Sequence, residues 1–369
     1  MTPVRTCFAT ALLASVASAN DLTVESPDHA LRATLSLSPA GALSYRVDYR
    51  GKPVVLPSKL GLTPADGADL TTGYSFVGAA REDVSKTWKP ICGERAQVTD
   101  AYSALAATYA LKGADALTLT LECRAYDAGF AFRYVFPKQA RGRLEIAKEN
   151  TEFAFAADHR AWPVYSAQGE YRPARLSEVK DGAERPLTLE AADGPVFAIG
   201  EAGLVSFARM KFAPAAGKPN TLTAKLDGSA SLPLPGATPW RYVMAADNAA
   251  RLLERNDFIL NLNEPSKLAD TSWIKPGKVI REISLTTKGG LACVDFCKTM
   301  NMQYVEFDAG WYGNEYDDKS DARAVNLDPK RSKGPLDLQE VIRYAKGNGV
   351  GVLLYVNRRE LEHRLDELL

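Results

Sequence analysis

Histidine is scarce in this sequence: there are three, at His29, His159 and His363, too scattered to form a pair with metal-ligand spacing. Cysteine is nearly as scarce, with five residues and no C-x-x-C, which leaves a zinc site without support. An excess of charge is missing too. Forty-five basic residues balance forty-five acidic ones. Nucleic acid and anionic membrane surfaces call for a basic excess, so neither is expected as a partner. G-x-S-x-G, phosphate-loop and dinucleotide fingerprints are absent. No apolar run is long enough to cross a bilayer. Internal repeats, low-complexity tracts and long charge runs are also missing.

What is present begins with an export signature. Arg5 precedes an apolar run from Cys7 to Val16, followed by Ala17-Ser18-Ala19. That is the three-part pattern of a cleaved signal peptide, residues 1–19, and it implies a periplasmic or secreted protein. In such a compartment one disulfide between Cys92 and Cys123 is possible. Cys293 and Cys297, four apart, share one helix face and read as small residues packed on a sheet.

From residue 20 to 269 the pattern is strand-like. Leu31, Ala33, Leu35 and Leu37 alternate with polar neighbours, Pro39-Ala40-Gly41 turns the chain, and Leu43, Tyr45, Val47 and Tyr49 alternate again. Leu117 to Cys123 and Phe130 to Phe136 repeat the pattern around Asp127-Ala128-Gly129. The rhythm is read onward through 196–199, 205–212 and 222–226, with one helical patch at 249–255. Many strands with almost no helical period predict a large β-sandwich.

From 270 to 369 the period changes. Apolar strands are expected at 279–285, 304–308 and 350–356, each followed by a helix, at 290–300, 338–347 and 360–368. Strand and helix in alternation mean βαβ units and a parallel sheet. The first and third strands are largely apolar, as strands covered on both faces are. A complete barrel of this kind needs eight units and about 200–250 residues; three are read here. The fold expected is therefore mainly β plus α/β: a sandwich followed by the first three units of a (β/α)8 barrel.

Chemistry-bearing residues gather past the ends of the second and third strands, where such barrels build their sites. Trp311 follows Asp308 and is read as either a sugar platform or a cap on the core. Asp308 reads as a turn cap. Asn357 and Arg358 stand at the next strand end, and Arg358 offers a guanidinium fork. Glu362 either reaches the pocket or is solvated on its helix. In the sandwich, Glu170 lies among Trp162, Tyr165 and Tyr171, between Pro163 and Pro173. It is either a solvated loop residue or one ligand of a hard cation, with Glu201 as its competitor. His159 reads as a surface residue.

The segments DTSWIKPGK, QYVEFDAGWYG, LDPKRS, LDLQEVIRYAK and GVLLYVNRRELE, with RAYDAGFAFRYVF, QGEY, AIGEAGL and TPWRYVMAAD upstream, resemble glycoside hydrolase family 97. The resemblance covers nearly all of residues 20–369. It implies an N-terminal β-supersandwich related to galactose mutarotase folds, a (β/α)8 catalytic barrel and a small C-terminal β-domain. The implied activity is calcium-dependent, exo-acting hydrolysis of an α-glucoside or α-galactoside oligosaccharide. On this resemblance Glu170 is a calcium ligand on the sandwich, reaching into the barrel site, and Trp311 and Glu362 contact sugar. The form YVNRRELE is more similar to the inverting α-glucosidase branch than to the retaining α-galactosidase branch. The family's acid, its base or nucleophile and its other calcium ligands come from later barrel strands, so no residue here is assigned as catalytic. The rival expectation is a non-catalytic sugar-binding fragment.

Overall fold

The computed structural model describes residues 21–111, 116–192 and 194–368. The signal sequence read at 1–19 lies outside the described residues. The chain divides between Lys267 and Leu268 into two compact units.

In the first unit, alternation builds antiparallel sheets. One described sheet has seven strands, in the order Asp21–Glu25, Leu31–Leu37, Leu43–Tyr49, Lys52–Lys59, Glu152–Ala154, Thr221–Leu226 and Met210–Pro214. A ten-stranded sheet runs from Ala174–Arg175 and Arg160–Trp162 through Leu187–Glu190, Val196–Ala202, Trp240–Ala246, Gly129–Phe136, Leu117–Tyr126 and Val98–Leu111 to Tyr74–Trp88. Gly236–Ala237 pairs with Gly129–Phe136 beside that path. A small sheet joins Ala230–Pro233, Arg143–Glu149 and Leu62–Pro64.

Leu31, Leu35, Tyr45 and Val47 from the seven-stranded sheet share one buried core with Leu105, Leu121, Phe130 and Phe132 from the ten-stranded sheet. The Tyr45 and Phe132 rings meet at 4.8 Å between centroids. Burying aromatic and branched side chains in this way is the main favourable term of the fold. Tyr126 and Tyr242 belong to a separate buried cluster, into which the short helix Asp257–Asn261 drops Phe258. That helix was not legible beside the expected one at 249–255, which forms over Ala249–Glu254.

One expectation needs correction, and one open possibility, a Cys92–Cys123 disulfide, is not realised. Residues 205–209 are not a strand: Val205 is exposed, Ser206 sits at φ +50°, and pairing resumes only at Met210–Pro214. Cys92 and Cys123 are both free, Cys92 exposed and Cys123 buried within Leu117–Tyr126.

A charged cluster crosses the sandwich interior. The Arg241 guanidinium donates two bonds to Glu149, at 2.8 and 2.6 Å, and one to Glu201 at 2.9 Å. All three side chains are buried. Arg185 reaches the other Glu201 oxygen at 2.6 Å. Burial opposes the Arg241 charge, but Glu149 and then Glu201 outweigh it and hold the pKa above its ordinary value. Glu201, the competing metal ligand in the sequence, is thereby committed to structure.

The second unit is a three-stranded parallel sheet, Val279–Glu282, Tyr304–Phe307 and Gly351–Leu354 in that spatial order. Helices Thr287–Met300, Leu338–Gly347 and Arg358–Leu368 follow the strands in turn. Gly290 lets two helices approach: a Cβ there would stand 2.7 Å from a Val341 methyl. The outer strands are not covered on both faces. Val279, Leu353 and Leu354 are exposed, and since Leu353 and Leu354 point to opposite faces, the third strand is covered on neither face at that end among the described residues. Cys297 is buried beneath the sheet and Cys293 half-buried. No described helix is long and apolar enough to cross a membrane.

Removing the Arg241 charge strands the buried Glu149 carboxylate and leaves Glu201 with Arg185 as its one cation. Arg241→Met is expected to lower unfolding free energy by about 3–5 kcal/mol, read by urea denaturation of the full chain. A loss below about 1 kcal/mol would show that the cluster does not hold the sandwich.

Candidate functional site

The rim past the C-terminal ends of the parallel strands consists of two short turns, after the first and third strands, and one long connection after the second. Each strand delivers a carboxylate or an aromatic residue there. Glu282 ends the first strand, buried, and accepts from the backbone N–H groups of Ser284 and Leu285 at 2.8 and 2.6 Å. It shapes the turn into the first helix, whose N-cap Thr286 accepts from Gly289. Asp308, past the second strand, accepts from the Ala309 N–H at 2.8 Å and pairs with Arg281 at 2.8 Å. That includes the turn role read for it.

Trp311 does not offer an open platform. It is 3% exposed, packs in the core of this unit and donates its indole N–H to the Tyr355 carbonyl at 2.8 Å. Its ring meets Tyr312 edge-on at 5.0 Å. Tyr312 is equally buried and accepts from the Asn357 N–H at 2.9 Å. Desolvation raises the pKa of its phenol further above neutrality. These two bonds tie the turn after the second strand to the end of the third.

Asn357 sits at the start of the last helix. Its side-chain oxygen accepts from the Arg359 N–H at 3.0 Å, and its amide donates to the Tyr355 hydroxyl at 3.1 Å. Arg358 and Glu362 are both exposed and form an i,i+4 pair at 3.4 Å. The structure therefore brings Asn357, Arg358 and Glu362 onto one helix start, with Trp311 buried beneath the turns.

Sequence reasoning passed over the carboxylates that organise this rim. Glu360 is 5% exposed, accepts from the Ala322 N–H at 2.9 Å and pairs with Arg364 at 2.6 Å. It anchors the long connection from 309 to 336. Its signal was the Asn-x-x-Glu spacing from Asn357, which marks a helix start. Glu315 is also buried, bonded to Arg331 at 3.1 Å through one oxygen. Its other oxygen is buried with no partner among the described residues. Gly310, at φ +103°, leaves room for the Arg331 stem: a Cβ would stand 2.8 Å from its Cδ.

In the first unit, Glu170 lies on an exposed loop with its carboxylate paired to Arg172 at 2.7 Å. Tyr165 and Tyr171 beside it are exposed. No group of three or more acidic, histidine or cysteine residues among those described could hold a metal ion. Calcium takes about six to eight oxygens, so Glu170 could supply one ligand and these residues alone do not make a calcium site.

Residues 24–265 match the family description "Glycosyl-hydrolase 97 N-terminal". The chain belongs to glycoside hydrolase family 97. It is 27% identical to a probable retaining alpha-galactosidase of Streptomyces bingchenggensis, over 95% of this chain and 57% of that protein. A retaining alpha-galactosidase of Bacteroides thetaiotaomicron is 22% identical, over 96% and 58%. Among solved structures, a family 97 enzyme of Pseudoalteromonas sp. strain K8 in complex with acarbose matches at 28% identity and a TM-score of 0.78. That match covers 90% of this chain and 53% of the enzyme. The chain thus spans about half the length of the relatives it matches.

The buried and exposed glutamates of the last helix separate in stability. Glu360→Ala is expected to cost about 2–3 kcal/mol by losing charged hydrogen bonds, and Glu362→Ala less than about 0.5 kcal/mol. Chemical denaturation of the two variants reads this; equal losses would remove the anchoring role of Glu360.

Proposed function

We propose that this protein is an exported, exo-acting glycoside hydrolase that cleaves α-glucosidic bonds of oligosaccharides with inversion. The observation that carries this reading is the 28% identity, over 90% of the chain, to the family 97 enzyme of Pseudoalteromonas whose complexes hold acarbose and panose. Panose is a trisaccharide of α-linked glucose. The YVNRRELE segment supports the same branch. The three parallel units are proposed as the opening of an eight-unit barrel, whose strand ends would form the site.

In an inverting hydrolysis, a carboxylic acid protonates the leaving oxygen while a carboxylate across the ring draws a proton from water. Each rim carboxylate described above already has a structural partner. The acid and base are therefore assigned to the part of the relatives that this chain does not match. Asn357, Arg358 and Glu362 are proposed to hold sugar hydroxyls, through an amide, a guanidinium and a carboxylate at one helix start. Calcium belongs to this proposal for the whole protein, with Glu170 as one ligand, and no step here runs through it.

A second reading, a retaining α-galactosidase, is favoured by the two relatives that carry that name.

The test is to purify the native polypeptide that contains this chain and supply aryl α-glucoside and aryl α-galactoside, following the first anomer by proton NMR. Preferred cleavage of the glucoside with β-glucose appearing first is the expected result, with activity lost to chelator and restored by calcium. Preference for the galactoside with α-galactose released would replace it by the second reading. Hydrolysis of neither substrate would leave a sugar-binding fragment.

A further inference from the structure

The ten-stranded sheet of the first unit ends unequally. One edge strand, Ala174–Arg175, has two residues; the other, Tyr74–Trp88, has fifteen. Tyr74–Trp88 pairs only with Val98–Leu111, so its outer row of N–H and C=O groups has no strand against it among the described residues. After a bulge between Phe76 and Gly78, its register is unbroken to Trp88. Ala79–Asp83 and Ser85–Thr87 are exposed, with Val84 and Trp88 half-buried. Proteins commonly block such an edge with proline, a bulge or charge. This stretch has no proline and no further bulge. Its charges are of mixed sign, Arg81, Glu82, Asp83 and Lys86, and so do not repel every partner strand.

The order of those charges selects a partner. Two copies of one strand pair antiparallel about a two-fold axis, which closes the assembly. Opposite side chains then share a face, so one residue at the axis faces its own copy. An axis at Arg81, Glu82, Asp83 or Lys86 sets like charges together, and one at Ser85 pairs no opposite charges. An axis at Val84 sets Glu82 opposite Lys86 of the second copy, twice. It also sets Asp83 opposite Ser85 and Arg81 opposite Thr87, with the two Asp83 residues meeting only on a diagonal of about 7–8 Å. Glu82 has no ion-pair partner among the described residues. Lys86 pairs with the buried Asp100 at 3.3 Å, and in this register it would stand between Asp100 and a second carboxylate. Val84 packs beside the buried Tyr102, so a second valine there would extend an apolar patch.

We propose that Tyr74–Trp88 is an interface for a second copy of this protein, the two strands pairing antiparallel about Val84 and joining two ten-stranded sheets into one. The assignment does not rest on the activity proposed above and holds equally for a hydrolase or a binding fragment.

The test uses the native polypeptide that contains this chain. Sedimentation equilibrium at micromolar concentration is expected to give twice its monomer mass. Glu82→Lys sets lysine against lysine twice and is expected to weaken the pairing about tenfold. Opposite residues of an antiparallel pair have Cα atoms about 4.5–5.5 Å apart, within disulfide reach. Val84→Cys is therefore expected to give a cross-linked dimer under mild oxidant, in a Cys92→Ser background that removes the exposed native thiol. Thr87→Cys in the same background is expected to give none, since its two copies would stand about 20 Å apart. A monomer at every concentration overturns the proposal. So does a dimer that Glu82→Lys leaves unchanged and Val84→Cys does not cross-link, because it forms elsewhere. Should Val84→Cys not fold, the effect of Glu82→Lys decides alone.

Discussion

One guanidinium sets the register of the sandwich. Arg241 stands directly opposite Glu201 in the antiparallel pair of Trp240–Ala246 with Val196–Ala202. It also reaches Glu149, on the middle strand of the small sheet. A single cation therefore joins strands of two sheets where neither can turn to water. A slip of one residue would move Arg241 to the opposite face of its strand, leaving Glu149 without its guanidinium and Glu201 with Arg185 alone. Two cations, Arg241 and Arg185, meet two carboxylates there. Each buried carboxylate there faces a guanidinium, which is the condition under which buried charge is tolerated. Burying it adds little net stability over an apolar core, but breaking it is costly, so it selects one register among many that bury similar apolar surface.

The parallel unit follows the same logic with weaker groups. Its rim is held by a carbonyl taking an indole N–H, a phenol taking a backbone N–H, and two buried carboxylates tied to Ala322, Arg364 and Arg331. All of these but the Glu360–Arg364 pair, which lies within the last helix, run to or within the turns and the long connection past strand ends. Loops at such ends have no ladder of their own, so side chains supply the missing bonds. That is why the buried carboxylates of this rim, Glu315 and Glu360, serve as scaffold.

The β unit was legible wherever one face is buried and the other wet. The buried alternation of Leu31–Leu37 and Leu117–Tyr126 stands in the sequence as written. It failed at 205–209, where apolar residues sit in an exposed turn, because alternation reports side-chain chemistry and not a pairing partner. The exposure of Leu353 and Leu354 was hidden for the same reason: an apolar strand reads alike whether or not other elements cover its faces. Trp311 shows the limit at a site. An aromatic beside a strand end reads equally as platform or core, and only the bond to Tyr355 separates the two. Glu360 was hidden behind Glu362, two residues away on the same helix.

That pair shows how one helix divides structure from recognition. Arg358–Leu368 carries two Arg–Glu pairs at the same i,i+4 spacing. Glu360 and Arg364 are close at 2.6 Å, and Glu360 is withdrawn from water, so their separation would cost charged hydrogen bonds that nothing replaces. Arg358 and Glu362 are solvated at 3.4 Å, and an exposed pair of this kind is worth only about 0.3–0.5 kcal/mol. A ligand with neighbouring hydroxyls could displace the second pair at little cost and gain both partners, while the first would keep the helix start in place. Recognition is thus cheapest at the residues whose mutual contact matters least to the fold, and sequence spacing alone assigns the two pairs the same weight.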